Sequence, residues 1–336
     1  MDSSAAAPDR QRLEGLDALR GIAAFMVLLF HVEFAFSLQP HFQRAYLSVD
    51  FFFLLSGMVM ARQYEGRFPD TAAFLRKRLV RLWPVMAIGA LLGTTVFAPQ
   101  VPPMGALIAC LMGLLLVPWL GSDKGLFPLN PPAWSILFEL FANALHAAVL
   151  CRLPTRWLLT ISAVCAAILI ARAPNLDLGA VREFAVLGIP RVVMSYALGV
   201  ALWRLRVLLP RVPAWIGMAL LPAAIFALPL TALPPLLGDL GFTLIAAPLA
   251  LIAGLSPLGA GRRALVWLGW LSFPLYAVHY PVLMFAGKFI GPLPSALMAL
   301  GVAWLAALAT DALRARLTGK APQATLQACR IQTAPR

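Results

Sequence analysis

Charge is scarce in this chain. Asp, Glu, Lys and Arg make up 12% of its 336 residues while 61% are hydrophobic, against a charged share of roughly 25% in soluble domains. With a mean hydropathy of +0.84, the composition excludes an ordinary soluble protein and indicates a polytopic membrane protein. Acids are scarcer than bases: 14 Asp and Glu face 27 Lys and Arg, a formal net charge of +13. In a soluble protein that excess would suggest nucleic acid. Here no such partner is needed, because the basic residues fall in the short connections between apolar runs. The four cysteines, Cys110, Cys151, Cys165 and Cys329, show no paired spacing, which argues against a disulfide framework and a metal site. There is no repeat of fixed period and no low-complexity block. The first apolar run is interrupted by His31 and Glu33 and lacks a small-residue cleavage site, so it reads as a retained span and not as a signal peptide.

Apolar segments occur at 16–38, 46–62, 82–98, 104–120, 133–150, 157–172, 184–203, 214–230, 238–254, 265–286 and 295–313. A span takes about 20 apolar residues, and several of these are short. Basic residues gather at Arg10, Arg12 and Arg20, at Arg62 to Arg81, at Arg152 and Arg156, at Arg204 to Arg211, at Arg262 and Arg263, and at Arg314 to Lys320. The positive-inside rule places all of these on the cytoplasmic side, and every interval between them then holds an even number of spans except one. Between Arg81 and Arg152 lie three segments, of which 104–120 is the weakest. The expected fold is an all-α transmembrane helical bundle of about ten spans plus one short or re-entrant segment. Its expected parts are cytoplasmic tails at 1–15 and 315–336 around a membrane body at 16–314, with no soluble catalytic domain attached.

"RGIAAFMVLLFH", residues 20–31, sets an arginine and a histidine eleven residues apart. In a helix they share a face and stand about 16 Å apart along the axis. Arg20 falls near the cytoplasmic boundary, beside a pairing candidate in Asp17, and His31 falls around mid-membrane. Snorkelling and an interhelical hydrogen bond are the structural alternative; intramembrane ionisable residues favour a functional role. Asp50, opening "VDFFFLLSG", reads as a helix cap or as a carboxylate that orients His31. Arg78 and Arg81 in "RLVRLWP" are three apart on one face, a geometry suited to phosphate oxygens. In "PPAWSILFELFAN", Glu139 lies inside an apolar run one turn from Ser135, with Trp134 at the helix start; interhelical glue is the rival role. Ser272, Tyr276 and His279 in "WLSFPLYAVHYPV" share a face, and His279 either serves the reaction or bonds a carbonyl left open by Pro281.

Taken together these stretches resemble the acyltransferase family 3 membrane proteins, which modify surface and secreted polysaccharides, lipopolysaccharide O-antigens, Nod factors and some antibiotics. Arg20 and His31 match that family's R-x10-H signature. "VDFFFLLSG", "RLVRLWP", "AWSILFE" and "LSFPLYAVHYP" resemble its later motifs, in order, from about residue 13 to residue 285. One departure is Ala142, where many members carry an aromatic.

The resemblance implies a bacterial inner-membrane enzyme that moves an acyl group, most often acetyl from acetyl-CoA, to a hydroxyl of a cell-envelope carbohydrate or an exopolysaccharide, without a metal. On that reading His31, Asp50 and Glu139 are catalytic candidates. Arg20, Arg78 and Arg81 hold the donor's phosphates, and Trp134, Ser135, Tyr276 and His279 face substrate. His31 acts as general base, with Asp50 or Glu33 orienting it, or carries the acyl group transiently. The alternative is a transporter or flippase for a glycan or lipid-linked substrate, which uses buried Glu and His for proton relay.

Overall fold

The computed structural model describes residues 13–66, 70–122 and 125–318. Most of both expected tails, with Arg10, Arg12, Arg67 and Lys320, lies outside the described residues. Among the described residues the regular structure is entirely helical. The helices are α1 (Glu14–Phe36), α2 (Ser48–Tyr64), α3 (Thr71–Phe97), α4 (Pro103–Leu115), α5 (Ala133–Ala148), α6 (Thr155–Arg172), α7 (Ala185–Leu205), α8 (Ala214–Ala227), α9 (Pro235–Gly241), α10 (Ala247–Ala253), α11 (Arg262–Ala286) and α12 (Pro292–Thr318). A π-helical turn, Phe242–Ala246, joins α9 to α10, so the two form one rod from Pro235 to Ala253.

Every apolar segment of the sequence forms a helix. Among the described residues eight helices are long and apolar enough to cross a membrane, and Pro103–Leu115 and Ala214–Leu230 are shorter apolar ones. At 1.5 Å per residue the 13 residues of α4 extend about 20 Å, short of the roughly 30 Å hydrocarbon layer. Helix α3 starts eleven residues before its apolar segment, because the Asp70 side chain caps it by accepting from the Ala73 amide. The basic run Arg76–Arg81 is therefore helical, and it enters the bundle as part of α3.

Helix α11 packs against α1, α3 and α12, while α7 packs against α2 and α6. Lipid tails supply no hydrophobic drive between helices, so close backbone approach at small residues matters. At the α2–α7 crossing a Cβ added at Gly199 would overlap the Leu54 carbonyl oxygen, and one at Gly57 would overlap that of Tyr196. Gly199→Ala should therefore destabilise the protein by about 1–3 kcal/mol, as overpacked sites do. A thermal melt in detergent checks this, and an unchanged midpoint would show that the crossing adjusts freely.

Proline shapes α11. Pro281 cannot donate a backbone hydrogen bond to the carbonyl of Ala277, and the Asn130 side-chain amide donates to it instead at 2.8 Å. The loop before α5 thereby locks onto α11 at the level of Tyr276 and His279.

Candidate active site

Arg20 and His31 answer to the same neighbour, α11. Arg20 donates Nε to Ser272 Oγ at 2.8 Å and Nη2 to the Gly269 carbonyl at 2.7 Å, and it pairs with Asp17 at 3.1 Å. It acts as a clasp between α1 and α11. At the other end of the stretch, His31 Nδ1 lies 2.9 Å from the Val27 carbonyl and 3.1 Å from His279 Nε2. His279 Nδ1 lies 2.9 Å from the Leu275 carbonyl. A carbonyl oxygen only accepts, so in the neutral pair each Nδ1 carries the proton. His279 Nε2 then accepts from His31 Nδ1–H, and His31 Nε2 keeps its lone pair. Among the described residues this nitrogen has no hydrogen-bond partner, and His31 is half-buried. Phe30 and Tyr280 flank the His31 ring edge-to-face, with centroids 4.9 and 5.3 Å away.

On the side of Arg20 the bundle holds a cavity of about 440 Å³, walled by α1, α2, α3, α5, α11 and α12. Its lining along α2 extends from Arg62 at the mouth to Val49 at the inner end, thirteen residues or about 20 Å. The mouth is basic, with Arg20, Arg62, Arg78, Arg81 and Arg314 in the walls. Inside, Arg78 is buried and donates to Glu139 Oε1 at 2.7 Å, and Ser56 Oγ donates to the same oxygen at 2.9 Å.

The inner end is closed by Ser135 and Tyr276, whose hydroxyls lie 2.6 Å apart. Both reach the Pro132 carbonyl, Ser135 at 3.0 Å and Tyr276 at 3.3 Å. Phe52 packs edge-on against the Tyr276 ring, centroids 5.6 Å apart. Tyr276 stands three residues before His279 on α11, about 4.5 Å along the axis, so the cavity ends one turn short of the histidine pair.

Asp50 does not orient His31. Its carboxylate receives Arg191 Nη2 at 2.7 Å and Nε at 3.0 and 3.2 Å, and it receives Ser195 Oγ at 3.4 Å. This pair is fully buried, with side-chain exposures of 1% for Arg191 and 0% for Asp50. Glu33 is spent on the loop after α1, accepting from the His41 and Phe42 amides at 2.8 Å each. Trp134 lies beneath Arg191, 5.3 Å from guanidinium carbon to ring centroid, between Phe53 and Phe138, and it does not line the cavity. Glu139 lies on the cavity side with Arg78, away from His31. The structure thus brings His31 together with His279, Ser135 with Tyr276, and Arg78 with Glu139, while Asp50 bonds to Arg191 and Ser195 instead.

Arg191 is the main residue that the sequence reading passed over, although a lone arginine inside α7 carries the same signal that singled out Glu139. The same holds for Asp239. It accepts from Tyr46 O–H at 2.7 Å, from Arg44 Nη1 at 3.0 Å and from the Leu176 amide at 2.8 Å. These two clusters join through Tyr46, whose carbonyl accepts from Arg191 Nη2 at 3.2 Å. Among the described residues no three His, Cys, Asp or Glu side chains gather as a metal site.

Comparison with known proteins completes the picture. Residues 13–313 match the family model of the acyltransferase domain of acyltransferase family 3. "Protein 2 in picA locus" of Rhizobium radiobacter is 31% identical over 180 residues, covering 47% of this chain and 93% of that protein. "Acyltransferase MdmB" of Streptomyces mycarofaciens is 27% identical over 318 residues, covering 83% of this chain and 81% of that protein. No solved structure matches the chain. Since the family match takes in nearly all of the cavity-bearing helical body, the chain belongs to acyltransferase family 3 and is a membrane acyltransferase.

Proposed function

We propose that the protein transfers an acyl group, acetyl by preference, from acyl-CoA entering at the basic mouth to a hydroxyl of a cell-envelope or exported carbohydrate. The observation that carries this reading is the position of the cavity, basic at one end and bounded at the other by Tyr276, one turn of α11 before the His279 that pairs with His31. Its length along α2, about 20 Å, suits a slender pantetheine arm. Arg78, held by Glu139, and Arg81 face the donor's phosphates. Arg20 fixes α1 to α11 and so holds the mouth open.

In the transfer step the acceptor hydroxyl gives its proton to His31 Nε2 as its oxygen bonds to the thioester carbonyl carbon. The carbon–sulfur bond then breaks, and the CoA thiolate leaves with the proton from the imidazolium. His279 Nε2 accepts from His31 Nδ1–H throughout and stabilises the charged ring. The hydroxyl pair of Ser135 and Tyr276 supplies the donor for the oxyanion. Tyr276 suits this better, since Ser135 makes the shorter bond to the Pro132 carbonyl.

The setting on this reading is a bacterial inner membrane, with the basic end, and so both termini, in the cytoplasm. Ten helices cross and α4 is the short one. Both relatives come from bacteria, and the clustering of arginines at one cavity mouth fits the positive-inside rule.

The test is binding and turnover in nanodiscs. The folded protein should bind acetyl-CoA and release free CoA when a carbohydrate acceptor is added, with binding weakened in Arg78→Ala. A folded protein that binds no acetyl-CoA but passes a glycan across proteoliposomes would be a transporter instead.

A further inference from the structure

The cavity mouth holds more cation than the R-x-x-R motif supplies. Three of its arginines are matched by carboxylates: Arg20 with Asp17 at 3.1 Å, Arg78 with Glu139 at 2.7 Å, and Arg314 with Asp311 at 3.6 Å. Arg81 has no carboxylate within 4 Å among the described residues, and it is close enough to Arg78, Arg20 and Arg314 to be repelled by all three, with Glu139 alone attracting it. Such a cluster calls for an added anion. Arg20 gives its Nε and Nη2 to α11 and so fixes one wall of the mouth.

Arg314 stands beside Arg81. It comes from α12, far along the chain from every motif read above, yet its Nη2 donates to the Arg81 backbone carbonyl at 2.6 Å. Its ion pair with Asp311 is long: Asp311 Oδ1 stands 3.6 Å from Arg314 Nη1, while Oδ2 accepts from Trp270 Nε1 at 2.9 Å. The Arg314 side chain is 32% exposed and lines the cavity. A guanidinium fork beside a second one suits bidentate contact with phosphate.

We propose that Arg314 is a third arginine of the donor's phosphate clamp, with Arg78 and Arg81, so that α12 contributes a wall of the binding site. This rests on the acyl-CoA reading above.

The experiment is titration of the whole protein in nanodiscs with CoA at low and high salt, for wild type, Arg314→Ala and Arg314→Lys. Losing one charge-assisted contact should weaken CoA binding about tenfold at low salt, equivalent to about 1.4 kcal/mol. The gap should narrow at high salt, where exposed charges are screened, and Arg314→Lys, which keeps the charge but not the fork, should recover only part of the affinity. Two results would overturn the assignment: an Arg314→Ala affinity equal to wild type at low salt, or an equal loss at both salts with a lowered melting point, which marks a mere helix clip. Absence of CoA binding by folded wild type is a different result, and it would overturn the acyl-CoA reading itself.

Discussion

His31→Ala is expected to cut acyl transfer by about a hundredfold to ten-thousandfold, the usual worth of a positioned general base, while leaving acyl-CoA affinity at the wild-type level. The reason is spatial. The donor's charged end binds at the arginine mouth, and His31 does not line that cavity, so binding and proton transfer are served by separate residues. His279→Ala should have a smaller effect. It removes one hydrogen bond to a ring that becomes charged during the reaction, worth about 1.5–3 kcal/mol, or roughly ten- to hundredfold in rate. Single-turnover CoA release with parallel binding isotherms separates the two quantities. A His31→Ala protein that transfers at the wild-type rate would remove the base from this mechanism, and one that lost affinity and rate together would place His31 in the donor site.

The second large effect is on stability. Arg191→Ala should destabilise the protein by about 3–5 kcal/mol, because it strands the Asp50 carboxylate without a counter-charge in a fully buried site. The guanidinium also donates to the Leu178 carbonyl at 2.7 Å and to the Tyr46 carbonyl, so the turn before α7 and the entry to α2 lose support with it. Replacing both charges, Asp50→Leu with Arg191→Met, should recover much of that loss, since a buried ion pair and an apolar pair of similar volume are often near equal in stability. Thermal melts of the two single variants and the double variant check this. Equal melting of Arg191→Ala and wild type would mean that water reaches Asp50, and that the pair contributes little.

Much of the site could be read from residue spacing. A separation of eleven positions sets Arg20 and His31 on one face of α1, and one of three sets Arg78 and Arg81 on one face of α3. Ser272, Tyr276 and His279 follow one stripe of α11. These are consequences of helical pitch, which is local and depends on nothing outside the segment. Partner choice is not local. Asp50 and His31 fall at similar depths in the sequence reading, yet Asp50 turns to Arg191 because α2 packs on α7 through Gly57 and Gly199. His279 turns to His31 because α11 packs on α1.

By itself, then, the sequence determined that the chain is a helical membrane body, which residues are polar within it, and which of them share a helix face. Hydropathy and pitch act over a few residues and are written in the order of side chains. Only the tertiary structure decided that the histidines form a pair with fixed tautomers, that Asp50 belongs to a buried ion pair, that Glu139 holds Arg78, and that Arg314 reaches the cavity mouth. Those outcomes depend on which helices touch and at what rotation. That is settled by packing among residues up to 252 positions apart, as for Arg20 and Ser272, and no periodicity within one segment records it.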